Sequence, residues 1–192
     1  ALQGAMVQMI SHGFVSGAMF TCVGVLYDRM HTRRIADYGG VANVMPWFAV
    51  FAMLFYMANA GLPGTSGFVG EFMVVLATFQ YNPLVAFAAA TTLILGAAYT
   101  LWLYKRIFFG EVANSHVAEL KDINGREWLV LGVFAFFTLA LGLYPKPLTE
   151  LMEPSIAKLA MQIAASCPDG PLRELIPGFD DDHADPTADV RR

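Results

Sequence analysis

Glu71 and His12 are the residues whose types and settings point most directly to chemistry. Glu71 is the only charged residue between Tyr38 and Tyr104, and His12 is the only histidine or charged residue between Leu2 and Tyr27. An acid held at depth in hydrocarbon costs roughly 3 kcal/mol on insertion scales, so such groups face water or protein rather than lipid. The chemistry open to this pair is proton exchange. Desolvation and a nearby helix N-terminus act on a carboxyl in opposite directions, which can poise it between its two states. An imidazole, with an unperturbed pKa of about 6.5, can pass a proton between its two ring nitrogens. The plainer alternatives are a structural hydrogen bond or ion pair for Glu71 beside a packing kink, and a helix-to-helix hydrogen bond for His12. The sequence leaves these open.

Polar neighbours extend both positions. Gln8, His12 and Ser16 recur at i, i+4 and i+8, which predicts a polar strip along one helix face. Around Glu71 the sequence reads "GLPGTSGFVGEF" over residues 61–72. Pro63 lacks a backbone donor and Gly61, Gly64 and Gly67 tolerate irregular dihedrals, so a helix interruption is expected at 61–67. A second half-helix starting near Thr65 or Ser66 would turn its free N–H groups into the break, an arrangement tolerated in a membrane only beside water or protein. Gln8, Ser16, Thr65 and Ser66 are therefore candidates to line a hydrated path.

The elements that must position these groups are membrane helices. Of 192 residues, 56% are hydrophobic and 15% charged, well below the quarter or so of charged residues usual in soluble domains. Apolar runs of about 20 residues, enough to cross a bilayer, predict spans at 2–28, 46–81, 83–106 and 127–145. As one straight helix 46–81 would run roughly 50 Å, too long for a hydrocarbon core of ~30 Å. Either one discontinuous crossing or a hairpin of two crossings would answer. A single crossing puts Arg29, Arg33, Arg34, Lys105, Arg106, Lys121 and Arg126 on one side against Lys146 and Lys158, and this bias selects it. Loops 29–45 and 108–126 then face the cytoplasm or matrix, and the C-terminus faces the opposite side.

The chain is thus expected to be all-α: four transmembrane helices within 1–145, the second discontinuous, then an amphipathic surface helix over 147–166. Pro154 is expected to begin that helix proper, with Leu148, Leu151, Met152, Ile156, Leu159 and Ile163 on one side. Residues 167–192, rich in proline, glycine and aspartate, are expected to form a disordered acidic tail, in which Asp180, Asp181, Asp182, His183 and Asp185 carry no metal site. Gly13 and Gly17 predict close approach of a neighbouring helix, and Lys105 and Arg106 interfacial anchoring. Cys22 and Cys167 suggest neither a disulfide nor a thiolate metal site. There is no phosphate-binding glycine loop, no nucleophile–base constellation and no basic nucleic-acid surface. Beginning at Ala1 inside a helical pattern, the chain is expected to be a piece of something longer.

"QGAMVQMISHGFVSGAMFTCVGVLYDRMHTRRIADYGG" followed by "GLPGTSGFVGEF" resembles the C-terminal part of the antiporter-like membrane subunits of NADH:quinone oxidoreductase, respiratory complex I, of the M (mitochondrial subunit 4) type. The likeness extends over about residues 1–150. It implies that the four spans end a larger antiporter-like fold of about fourteen helices with inverted repeats. It further implies that Glu71 is the terminal proton-channel acid and His12 the histidine of the preceding helix. A glutamate at 71, where sister subunits carry lysine, favours the M type, while the family's earlier lysines and glutamate would lie upstream of Ala1. The resemblance implies a non-redox, proton-translocating subunit with no cofactor of its own. Flavin, iron–sulfur clusters and quinone would belong to partner subunits. Its partners would be other membrane subunits of complex I, including the sister antiporter-like ones, in a bacterial or mitochondrial inner membrane, with the C-terminus on the periplasmic or intermembrane side. A subunit of a multisubunit cation/proton antiporter is the main alternative, and a purely structural assembly module the other.

Overall fold

The structure, a computed structural model, describes residues 1–166, so the expected tail over 167–192 lies outside the described residues. All regular structure among the described residues is helical. In chain order the helices are α1 (Leu2–Met30), α2 (Val41–Val44), α3 (Pro46–Asn59), α4 (Ser66–Tyr81), α5 (Pro83–Phe108), α6 (Ser115–Ala118), α7 (Gly125–Leu143) and α8 (Lys146–Ser166). A 3-10 turn at Ile35–Asp37 lies between α1 and α2. A first compact unit spans Ala1–Leu148 and a second begins at Thr149.

In the first unit, α1, α5 and α7 are each long and apolar enough to cross a membrane, and α3 is a shorter apolar helix. Helices α1, α5 and α7 begin at Leu2, Pro83 and Gly125 and end at Met30, Phe108 and Leu143. Local chemistry sets those ends. Pro83 and Asn82 open α5, the Asn82 carboxamide accepting from the backbone of Leu84 and Val85. Asn124 and Glu127 form a reciprocal capping box at α7.

Four helix ends meet at one end of the bundle. Arg29, in the last turn of α1, donates to both carboxylate oxygens of Glu127 in α7, at 2.8 and 2.7 Å, and to the Lys121 and Asp122 carbonyls. Asp122 accepts from the backbone N–H groups of Trp47 and Phe48, the first exposed donors of α3. The backbone of Gly40 donates to Phe109, just past α5. A packed core runs inward from this end, built around the fully buried Phe48, Phe55, Phe108 and Met45. Within it the Tyr104 ring stacks on Phe108 at 4.3 Å and its hydroxyl donates to the Ala49 carbonyl. This buried hydroxyl-to-carbonyl bond ties α3 to α5.

The interruption between α3 and α4 has a definite construction. Helix α3 ends in a Schellman motif: Gly61, at φ 77°, donates to Ala58, and Leu62 donates to Met57. Pro63 follows three residues past the helix cap at Ala60, where it blocks continuation. Gly64 takes φ 92°, and both the N–H and the hydroxyl of Thr65 donate to the Leu62 carbonyl. The non-helical link is therefore 60–65, and Gly67, expected within the break, is the second residue of α4. Glycine is needed there for approach rather than for dihedrals, because a Cβ on Gly67 would collide with the Ala58 carbonyl oxygen.

Two further expectations are corrected. Gly13 meets nothing within 4 Å and Gly17 touches only the Phe134 ring, whereas the close backbone approaches use Gly4 and Gly70 between α1 and α4 and Gly142 between α7 and the link. In the second unit Pro154 sits inside α8, which is already helical from Lys146, so proline interrupts one hydrogen bond of a running helix instead of starting it.

Candidate functional site

Of the predicted site residues, Glu71, Gln8 and Ser66 come together where α1 lies against α4. Glu71 occupies the second turn of α4, and its Oε1 accepts from Gln8 Nε2 at 3.2 Å. One turn back toward the link, the Ser11 hydroxyl donates to Ser66 at 2.8 Å, and both serines are buried, at 1% and 0% exposed. Glycines make this approach possible. A Cβ on Gly70 would stand 2.7 Å from the Gln8 backbone nitrogen, and one on Gly4 would stand 2.7 Å from Met73 Cβ. Only hydrogen at those positions lets the helices come close enough for a short serine-to-serine bond.

The link closes the site from another side. A Cβ on Gly61 would lie 2.5 Å from Glu71 Oε2, so the turn that ends α3 packs directly on the carboxylate. Gly142 of α7 lies against Thr65 and Gly64 with no room for a side chain, which pins the start of α4. Thr65 is 2% exposed, but its hydroxyl is turned back to Leu62 and does not cap α4.

The polar strip predicted from Gln8, His12 and Ser16 is only partly assembled. Gln8 reaches Glu71, but Ser11 rather than Ser16 makes the bond to α4. His12 is exposed on the chain surface and makes no hydrogen bond to Gln8 or Glu71. The geometry explains the difference. Ser11 belongs to the buried ridge of Gly4, Val7, Val15 and Ala18 and Gln8 stands at its edge, while the further drift of about 40° over four residues carries His12 out to the exposed side. Sequence reasoning missed Ser11, Gly70 and Gly142; a serine three residues from Gln8 and a glycine beside the acid were the available signals.

The arrangement can bind and release a proton. Glu71 has an amide partner, no ion pair reaches it, and its Oε2 is shielded without a hydrogen-bond partner. Among the described residues no cluster of three metal-ligating side chains occurs. A cavity of about 670 Å³ beside Arg29, His31, His116 and Lys121 lies at the far end of α1 and takes no part in this site.

Comparison with known proteins agrees with the resemblance carried by these motifs. The chain is 52% identical over 164 residues to "NADH-quinone oxidoreductase subunit M" of Rhodobacter capsulatus, covering 85% of this chain and 32% of that protein. It is 45% identical over 156 residues to "NADH-ubiquinone oxidoreductase chain 4" of Arabidopsis thaliana, covering 81% and 32%. Among solved structures, respiratory complex I from Thermus thermophilus with bound NADH matches with a TM-score of 0.70 at 31% identity, over 78% of this chain and 32% of that one. An archaeal membrane-bound sulfane sulfur reductase shares the fold, with a TM-score of 0.73 at 23% identity over 78% and 25%. The chain thus spans about a third of the length of these curated relatives. The model of the family described as NADH:quinone oxidoreductase/Mrp antiporter, TM, matches residues 1–97, half of the chain, and the chain belongs to that family.

Proposed function

We propose that this chain is the C-terminal part of a proton-translocating, non-redox membrane subunit of NADH:quinone oxidoreductase, in which Glu71 exchanges protons with the outer side and His12 passes them along the hydrated axis. The observation that carries the reading is the setting of Glu71: one carboxyl in an otherwise uncharged span, beside a helix interruption, touching an amide and no cation. Against a potential of 100 mV each proton requires about 2.3 kcal/mol. A change of about two pKa units between conformations, at ~1.4 kcal/mol each, supplies that work.

Four crossings follow from the same reading, with α3, the link and α4 forming one discontinuous span. In support, α3 begins at the end of the bundle where α5 finishes. A hairpin of two crossings would bring α4 back to that end and start α5 there instead. The charge bias then places that end in the cytoplasm or matrix and the C-terminus on the opposite side. The partners are the other membrane subunits of the complex, and the flavin, iron–sulfur and quinone chemistry belongs to other subunits of the assembly. Helix α8 is an amphipathic surface helix, with Leu151 and Leu159 exposed.

A subunit of a cation/proton antiporter is the competing reading, since the matched family covers both. Affinity purification of the complete subunit with its native partners decides. NADH-driven quinone reduction coupled to proton movement is expected, whereas sodium-dependent transport with no such reductase copurifying would select the antiporter.

A further inference from the structure

Gln8 and Glu71 are joined by one hydrogen bond, yet the other oxygen of each group, Gln8 Oε1 and Glu71 Oε2, is shielded from solvent and has no partner. A planar carboxyl and a planar carboxamide that share one hydrogen bond can share a second through their remaining oxygens once their planes align and the acid carries its proton. Both are acceptors while the acid is ionised, so neither can satisfy the other. Added molecules have little room: a Cβ on Gly70 would stand 2.6 Å from Gln8 Oε1, and one on Gly61 would stand 2.5 Å from Glu71 Oε2. A proton needs no such room.

We infer that Gln8 is a positioning residue for Glu71, forming with its protonated carboxyl a closed acid–amide pair that opens when the proton leaves. In the closed pair Glu71 Oε2–H donates to Gln8 Oε1 while Gln8 Nε2–H donates to Glu71 Oε1, and one proton satisfies both orphaned oxygens. When the proton departs to water on the exit path, the second bond is lost and both oxygens are again acceptors without a donor, which frees the carboxylate from α1. A buried half-satisfied polar pair is costly enough to drive such a rearrangement. No other titratable group competes for the position. Among the described residues on the helices packed against α4, His12 of α1 makes no bond to Glu71, Cys22 lies in the buried core, Tyr27 stands in the last turn of α1, Tyr104 of α5 is committed to Ala49, Tyr99 of α5 is exposed, Tyr56 of α3 lies among the rings of Tyr104 and Phe108, and α7 carries only Arg126 and Glu127, both in its first turn. The charged groups Arg29, Glu127, Lys105 and Arg106 stand at helix ends.

This inference rests on the proposed proton-exchange role of Glu71 and deepens it. Its test is infrared difference spectroscopy of the complete subunit in its assembled complex, stepped in pH, with Glu71→Gln used to assign the carboxyl band. A hydrogen-bonded acid carbonyl absorbs at lower frequency than a free one, so Gln8→Met should raise the frequency of the Glu71 band; an unmoved band overturns the pairing. Should Gln8→Met fail to assemble, wild-type complex labelled with carbon-13 at the glutamine side-chain carbonyl decides. A labelled amide band changing in step with the Glu71 carboxyl supports the pair, and its absence overturns it. Pumping by Glu71→Gln is a separate readout: undiminished pumping there removes the functional reading while a shifted band would leave the pairing intact.

Discussion

The carbonyl oxygen of Ala58, in the last turn of α3, faces the Cα of Gly67 in the first turn of α4 so closely that no Cβ fits between them. The two half-helices are therefore held by backbone contact across the link, and the place where Glu71 stands is fixed by the absence of one methyl group. Gly67→Ala is expected to destabilise the subunit by roughly 1–3 kcal/mol, the usual cost of overpacking a rigid contact. Thermal denaturation of the assembled complex measures it, and an unchanged midpoint would refute the contact.

Asp122 supplies what the sequence around α3 lacks. Met45, the residue before α3, offers no side-chain cap, and Asp122 takes its place from 75 residues away by accepting from Trp47 and Phe48. Asp122→Ala removes both bonds and is expected to cost about 1 kcal/mol, like the loss of a local cap. Amide hydrogen exchange should show the faster opening at Trp47 and Phe48, with α7 unaffected.

Arg29 and Glu127 form a two-bond ion pair in which both side chains are less than a fifth exposed. A double-mutant cycle with Arg29→Met and Glu127→Gln should return a coupling of about 1–2 kcal/mol, above the value for exposed pairs because the fork geometry is fixed. Either single variant should loosen the end of the bundle where α1 and α7 meet. A coupling near zero would mean that the carbonyls of Val25, Lys121 and Asp122 hold Arg29 without Glu127.

His12 contributes no hydrogen bond to the fold, so its replacement separates relay from structure. His12→Leu should leave the thermal stability of the complex unchanged within about 0.5 kcal/mol, as expected of a surface substitution, while lowering proton translocation per quinone reduced. A fall in stability with translocation intact would assign His12 to packing.

Much of this was legible because a bilayer leaves a chain few options. Apolar runs of the right length located α1, α5 and α7, and the charge bias is what proposes a single broken crossing. Glu71 was legible from its isolation, and so was Gln8 from its place one turn before His12. What could not be read was which glycines serve dihedrals and which serve approach. Gly61 and Gly64 take positive φ, whereas Gly67, Gly70 and Gly142 are helical and small for the sake of a neighbour that only tertiary structure reveals. The choice of Ser11 over Ser16 likewise depends on how α1 rotates against α4, which a periodicity of four leaves undetermined. Asp122 as a cap for α3 is a long-range pairing with no local signature.

The most direct measurement of the central claim is proton translocation per quinone reduced in proteoliposomes containing the complex with Glu71→Gln, an uncharged replacement of nearly the same shape. The complex should assemble and its proton yield should be strongly reduced or abolished. A full yield from that variant would contradict Glu71 as a proton-exchanging group.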